Sequence, residues 1–147
     1  MNNYTAYRRD RGSPGGGVII LVKNDLISEE FLDDTWKDTE TVSCVLSIGV
    51  NRILLSCMYR PPAQPIDFVY NNNVRKSLRQ MSRLNFEQVL VCGDFNYKEI
   101  DWVNHHVTGS ELREQQKFYD AVGDTFFHQH VTDLLELEVL MSHLCWI

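Results

Sequence analysis

Two apolar segments separated by a short connection constrain the fold of this chain more than any other feature. They are TVSCVLSI (41–48) and RILLSCMY (52–59), and the connection is GVN. In the first segment apolar residues alternate with serine, which is the period of a β-strand with one buried face. So short a connection favours antiparallel pairing, and RPPAQP ends the second strand because proline cannot donate to a sheet. The two segments therefore predict a β-hairpin.

Two further apolar runs predict strands, GVIILVK (17–23) and QVLVC (88–92). Residues 1–16 are polar and end in GSPGGG. Neither the lysine of a phosphate-binding Walker loop nor a helix follows these glycines, so we interpret the segment as a flexible lead into a strand.

Two segments have the apolar spacing of amphipathic helices. One covers 67–84, and the other begins at Ser110 as N-cap. The element order is β, β, β, α, β, α, which predicts an α/β layered domain in which helices cover sheets. The apolar side of the second helix is predicted to be Leu112, Tyr119, Val122 and Phe126.

Composition sets limits on the function. The 147 residues suit one globular domain. The net charge of −6 argues against binding of nucleic acid through a broadly basic surface, though not through a localised basic groove. No apolar run approaches the roughly 20 residues that span a bilayer. We expect a soluble intracellular protein, with the nucleus as one location. Three of the four cysteines lie in apolar strands and are expected to be core residues: Cys44, Cys57 and Cys92.

The strand QVLVC ends in Gly93-Asp94-Phe95-Asn96. In an extended segment Asp94 and Asn96 would project from the same face. The carboxylate could orient a water or bind a hard cation, and the amide could donate to a phosphate oxygen. An Asx-type turn accounts for the same residues and is the commoner outcome for this sequence taken by itself.

Other candidate side chains stand at strand ends and in loops. Tyr59 could donate to a phosphate oxygen or be a half-buried aromatic, and Arg60 could pair with a phosphate or be a solvated strand end. His105 and His106 are interpreted as surface residues. The last candidates are His128 and His130, which we expect to share one face of a strand. A role as metal ligands is the less common alternative for them.

Four motifs in order are more specific than any one of them: YRRDRGSPGGGVIILVKN, CMYRPP, VLVCGDFNYKEIDW and FFHQHVTD. Together they resemble the endonuclease/exonuclease/phosphatase (DNase I-like) superfamily, most of all the endonuclease domain of jockey-like non-LTR (LINE-type) retrotransposons. The resemblance covers about 7–133 of a single partial domain over 1–147, with a divergent tail at 134–147. It implies a four-layer α/β sandwich of two mixed β-sheets flanked by helices.

The resemblance also implies a reaction. The family hydrolyses phosphodiester bonds with a divalent cation, Mg²⁺ or Mn²⁺, by water attack on phosphate. Asp94 matches the aspartate that orients or deprotonates the water, Asn96 an asparagine that hydrogen-bonds near the scissile phosphate, and Tyr59 a tyrosine that contacts it. The implied partner is DNA, nicked by a monomer during retrotransposition.

The chain departs from the family pattern in ways that favour an alternative. A metal-binding glutamate expected near the N-terminus and a Ser-Asp-His motif expected near the C-terminus are not in the sequence. We therefore expect a domain lacking N-terminal and C-terminal strands, which leaves its metal ligands unknown. The alternative to an active nuclease is a catalytically inactive retroelement-derived remnant.

Overall fold

The described residues belong to two compact units, Met1–Asn96 and Tyr97–Ile147. The single domain expected over 1–147 stays a prediction. The predicted helix cap at Ser110 and the tail at 134–147 lie outside the described residues. The computed structural model describes residues 3–11, 16–62, 67–109 and 112–130.

The first unit contains two β-sheets. Its described residues form the strands β1 (Tyr4–Asp10), β2 (Gly17–Lys23), β3 (Ile27–Glu30), β4 (Glu40–Ile48), β5 (Asn51–Tyr59) and β6 (Gln88–Asp94). Strands β1 and β2 pair antiparallel as one sheet. The other sheet has the order β3-β4-β5-β6 and is mixed, because β5 and β6 are parallel while the other neighbours are antiparallel.

The hairpin predicted from the sequence is confirmed as β4 and β5. Ile48 pairs with Asn51, so Gly49 and Val50 form a two-residue turn. Both faces of β4 are buried, whereas the serine alternation predicted one buried face. The buried serines Ser43 and Ser56 form a hydrogen bond across the β4–β5 ladder, with their Oγ atoms 2.8 Å apart.

The polar N-terminal segment contains a strand, so the prediction of a flexible lead is wrong over β1. This strand pairs with β2 along its whole length, from Tyr4 opposite Lys23 to Asp10 opposite Gly17. Tyr7 is its one buried residue. The alternation that marks a half-buried strand is therefore missing from the sequence, and pairing with the apolar β2 orders the segment instead.

The two sheets pack face to face around one apolar core. Side chains from the inner faces of both sheets meet there, as in other sheet-on-sheet packings. The buried members of this core are Tyr7, Val18, Ile20, Val22, Val42, Cys44, Leu55 and Cys57.

The helix α1 (Phe68–Met81) connects the parallel strands β5 and β6, as a crossover must. The Asp67 side chain caps it by accepting from the Tyr70 backbone N–H at 2.9 Å. The helix seals the outer face of the mixed sheet, where buried residues of both elements are at most 1 % exposed. These residues are Val45, Leu54, Met58, Val74 and Met81. The predicted α/β sandwich is confirmed, and within the first unit the layers are sheet, sheet and helix.

The second unit has a short antiparallel pair, β7 (Ile100–Asp101) and β8 (His106–Val107), and the helix α2 (Leu112–Asp124). The apolar side predicted for α2 is wrong at Phe126, which is 96 % exposed; Tyr119 and Val122 are half-buried, and the side chain of Leu112 lies outside what the structure describes. Among the side chains that the structure describes on α2 and directly after it, the buried ones are Glu114, Gln115, Phe118, Ala121 and Thr125.

The buried face of α2 is set by two contacts that residue type did not indicate. The ring of Phe118 packs on Tyr97 with centroids 4.6 Å apart. Glu114 tolerates burial because Lys117 Nζ donates to its carboxylate at 2.8 Å. A polar residue with a partner can thus lie inward while an apolar one lies outward.

The cysteines predicted to be core residues are confirmed as such for Cys44 and Cys57, which are buried, while Cys92 is half-buried. All three are free thiols. Within the described part of the chain, none of the helices combines the length and apolar character that crossing a membrane requires.

Candidate functional site

Glu40, Tyr59 and Asp94 form a row across three neighbouring strands. Glu40 pairs with Tyr59 in the β4–β5 ladder, and Tyr59 pairs with Asp94 in the β5–β6 ladder. Directly paired residues project from the same face of a sheet. The row therefore places a phenol between two carboxylates at one end of the mixed sheet. Tyr59 is half-buried and Asp94 is exposed to solvent.

Gly93 permits the close approach that brings Asp94 to this position. Its φ is 139°, and a Cβ atom added there would lie 1.7 Å from the backbone oxygen of Met58 on β5. No side chain fits in that gap. The glycine before Asp94 is thus required by the spacing of β5 and β6.

The segment after Asp94 is a turn. The Asn96 backbone N–H donates to Asp94 Oδ1 at 2.9 Å, and Asn96 has a φ of 52°. The Asx-type turn weighed for this sequence is therefore present, and the extended geometry expected for the pair is wrong because the chain turns left-handed at Asn96. The turn leaves Asp94 exposed, so a structural and a chemical use of this carboxylate are compatible.

Arg60 ties the turn to the end of β5. Its Nη1 donates to the carbonyls of Phe95 at 3.1 Å and Asn96 at 3.3 Å, and its backbone N–H donates to the Asp94 carbonyl at 2.9 Å. In return Asn96 Nδ2 donates to the Arg60 carbonyl at 2.8 Å. Arg60 is only 6 % exposed, so the solvated strand end predicted for it is wrong, while its pairing with a phosphate stays a prediction. In the structure Arg60 organises backbone.

Tyr59 is held by residues from other elements. The hydroxyl of Tyr70 on α1 donates to the Tyr59 carbonyl at 2.9 Å and accepts from the Glu40 backbone N–H at 2.9 Å. Burial raises the pKa of Tyr70, so this hydroxyl stays protonated. The Arg11 guanidinium carbon lies 5.4 Å from the centroid of the Tyr59 ring. Both ends of the tyrosine, backbone and ring, thus have fixed neighbours.

The comparisons with known proteins match this part of the chain. The sequence model of the endonuclease-reverse transcriptase family matches residues 53–135, which include Tyr59, Asp94 and Asn96. The chain belongs to the endonuclease-reverse transcriptase family. A search of curated proteins found no match.

A solved structure has the fold of this family member. It is the endonuclease domain of TRAS1, a telomere-specific non-LTR retrotransposon, with a TM-score of 0.58 at 16 % identity. The match covers 89 % of this chain and 58 % of that structure. At this identity the likeness concerns the fold, which confirms the DNase I-like α/β sandwich.

The described residues of this family member do not supply a complete cation site. Over residues 3–11, 16–62, 67–109 and 112–130, no three His, Cys, Asp or Glu side chains come together as metal ligands. In the row, the Glu40 carboxylate is already bound by Arg11. A divalent cation prefers several oxygen ligands, so Asp94 would bind one only with ligands from elsewhere.

The candidate histidines have separate positions. His105 and His106 are exposed in the β7–β8 region, as predicted. His128 and His130 do not lie in a strand, contrary to expectation, yet their ring centroids are 5.1 Å apart.

Three residues beside the site were missed by sequence reasoning: Arg11, Glu40 and Tyr70. Glu40 could have been found, because a two-residue turn at Gly49 fixes the β4–β5 register and so sets Glu40 opposite Tyr59. Arg11 and Tyr70 gave no such signal, since they reach the site from β1's end and from α1 through tertiary packing.

Proposed function

We propose that this chain is part of a DNA endonuclease that hydrolyses phosphodiester bonds, with Asp94, Asn96 and Tyr59 at its reacting centre. The observation that carries the proposal is the cross-strand pairing of Tyr59 with Asp94, beside an Asn96 whose backbone is fixed by Arg60. Membership of the endonuclease-reverse transcriptase family supports this reaction class.

Each side chain has a role that its geometry supports. Asp94 is exposed and can accept a proton from an attacking water or orient it. Asn96 uses one Nδ2 hydrogen on the Arg60 carbonyl, which leaves the second to donate to a phosphate oxygen. The Tyr59 phenol can donate to another oxygen of the same phosphate. Donors fixed before the reaction stabilise the charge that grows on the phosphate.

A divalent cation would offset phosphate charge in such a reaction. The described residues do not form a site for it, so none of the roles above is routed through a metal. In the proposed enzyme, cation ligands come from outside the described residues or from the DNA itself.

Nicking of supercoiled plasmid DNA tests the proposal. Purified chain with Mg²⁺ or Mn²⁺ is expected to convert supercoiled to open-circular DNA, and Asp94→Asn is expected to slow this by about 10²-fold or more. Asp25→Asn, which alters an exposed carboxylate in the turn after β2, is the matched control and should leave the rate unchanged. Folded protein that does not nick DNA, or equal rates for wild type and Asp94→Asn, would contradict the proposal.

The inactive remnant is the second candidate, favoured by the lack of grouped metal ligands in the described part of the chain. Paramagnetic Mn²⁺ separates the two by NMR. An active site predicts broadening of the Asn96 amide signal that Asp94→Asn abolishes, whereas the remnant predicts no selective broadening and no nicking.

A further inference from the structure

Arg11 lies at the meeting point of both sheets, beside the candidate site. Its Nε donates to Glu40 Oε1 at 2.8 Å and its Nη2 to Glu40 Oε2 at 3.0 Å. The same guanidinium lies over the Tyr59 ring, with its carbon 5.4 Å from the centroid. Two members of the row are therefore contacted by the side chain of the residue that follows β1 of the other sheet.

The contact with Glu40 fixes the plane of the guanidinium. A two-pronged arginine–carboxylate pair defines direction as well as distance, which a lysine ammonium cannot do. The side chains are 33 % and 16 % exposed, so the pair is partly shielded from water. The hydrogen bond to Glu40 raises the pKa of Arg11, which keeps its full charge.

Gly16 supplies the space in which Arg11 lies. Its φ is 130°, and a Cβ atom added there would lie 3.1 Å from Arg11 Cζ and 3.2 Å from Arg11 Nε. The backbone of Gly16 is thus flush against the guanidinium. This contact accounts for Gly16, the middle glycine of the GGG sequence, which the sequence alone indicated only as part of a strand entry.

These contacts hold Tyr59 by its backbone and by its side chain, which also takes part in a hydrogen bond with Arg11. The backbone of Tyr59 is fixed through its carbonyl by Tyr70, and the ring by Arg11. A cation over an aromatic face is attractive and restricts the ring to one orientation. Such restriction favours a phenol that has to donate a hydrogen bond to a phosphate, because even a small misplacement of a catalytic group lowers the reaction rate strongly.

We propose that Arg11, bound by Glu40 and packed on Gly16, is a positioning residue that holds the Tyr59 phenol in line with Asp94. The inference rests on the proposed nuclease function and adds Arg11, Glu40 and Gly16 to it. Arg11 acts through Tyr59, because its charge is already compensated by Glu40.

A double-mutant cycle on DNA nicking tests this dependence. Arg11→Gln should lower kcat by about tenfold or more with little change in KM. In a Tyr59→Phe background the same change should alter kcat less than about twofold, since residues that act as a unit are not additive. Arg11→Lys should not restore the rate. Effects of equal size in both backgrounds would overturn the proposal.

The matched control is Arg8→Gln on β1, the strand that directly precedes Arg11. Arg8 pairs with Asp10 at 2.7 Å, but both side chains are 64 % exposed and neither contacts the row. This variant should nick at the wild-type rate. If Arg8→Gln lowered the nicking rate as much as Arg11→Gln does, the effect would come from a general loss of stability, and the proposal would be overturned.

A second measurement does not need activity. In protein labelled with ¹³C-tyrosine, the Tyr59 ring signal, assigned by its loss in Tyr59→Phe, should shift in Arg11→Gln and in Gly16→Ala but not in Arg8→Gln. An unshifted signal in Arg11→Gln would overturn the positioning role. If the wild type does not nick DNA, the proposed function fails, and this spectrum still decides whether Arg11 orients Tyr59.

Discussion

Arg60 and Asn96 bind each other in both directions: Arg60 Nη1 donates to the Asn96 carbonyl, and Asn96 Nδ2 donates to the Arg60 carbonyl. The two residues are separated by the helix α1 in sequence and joined by hydrogen bonds in space. The YRPP and GDFN sequences are therefore one structural unit, and a change in either is expected to disturb both.

Arg60→Met should lower the free energy of unfolding by about 3 kcal/mol. The variant keeps the apolar stem but leaves the carbonyls of Phe95 and Asn96 and the Asn71 side chain without a buried donor. Urea denaturation measures the loss. Arg83→Met changes an exposed arginine and should stay within about 0.5 kcal/mol of wild type; equal losses in the two variants would contradict the prediction.

Gly93→Ala should destabilise the chain by at least about 4 kcal/mol, or prevent folding. The new Cβ would overlap the Met58 carbonyl, so β5 and β6 would have to separate. Gly123→Ala is the control, for which we expect a stability change of the opposite sign. Nothing lies within 4 Å of a Cβ at this helical glycine, so the change should raise stability by about 0.5–1 kcal/mol. Circular dichroism during urea unfolding reports both, and a tolerated Gly93→Ala would refute the close approach.

Tyr70→Phe should cost about 1–3 kcal/mol because it removes the partner of the Tyr59 carbonyl and of the Glu40 N–H. Hydrogen exchange at the Glu40 amide should become faster, which identifies the bond that is lost. Tyr4→Phe, on the exposed part of β1, should change neither quantity. Unchanged exchange at Glu40 would show that this bond does not form in solution.

Alkaline pH should weaken the fold through Cys44. Burial raises the pKa of this thiol from 9.0 to about 11. The unfolded chain ionises first as pH rises, so stability present below pH 9 falls as pH approaches about 11, by about 2 kcal/mol for this group. Unfolding free energies at pH 8.5 and 10.5 should therefore differ less in Cys44→Ala than in wild type. If the difference between the two pH values were the same in Cys44→Ala and in wild type, Cys44 would not be the cause of the loss of stability at alkaline pH.

Local patterns were sufficient where periodicity and turns decide the structure. The β4–β5 hairpin and the helix within 67–84 were predicted because their apolar periods are clear, and the helix is observed at Phe68–Met81. The strand predicted over 88–92 continues to Asp94. The hairpin register also determines the position of Glu40 opposite Tyr59.

Prediction failed where a tertiary contact overrides composition. Strand β1 has one inward residue, Tyr7, so its polar sequence hides its pairing with β2. In α2 the contact of Phe118 with Tyr97 sets the buried face and leaves Phe126 exposed. Arg60 is buried because backbone carbonyls of a distant turn accept its hydrogen bonds, and no residue-by-residue pattern indicates that.

The turn at Gly49 and Val50 has a consequence far from its own position. Ile48 lies eight positions after Glu40 in β4, which is roughly 26 Å of strand at about 3.3 Å per residue. Because the turn sets the register of the whole hairpin, its length determines which side chain stands opposite Tyr59. An added residue that slips the ladder by one position would replace Glu40 there by a neighbouring threonine and deprive Arg11 of its carboxylate. Insertions at this remote loop are thus expected to alter the chemistry of the opposite end of the sheet.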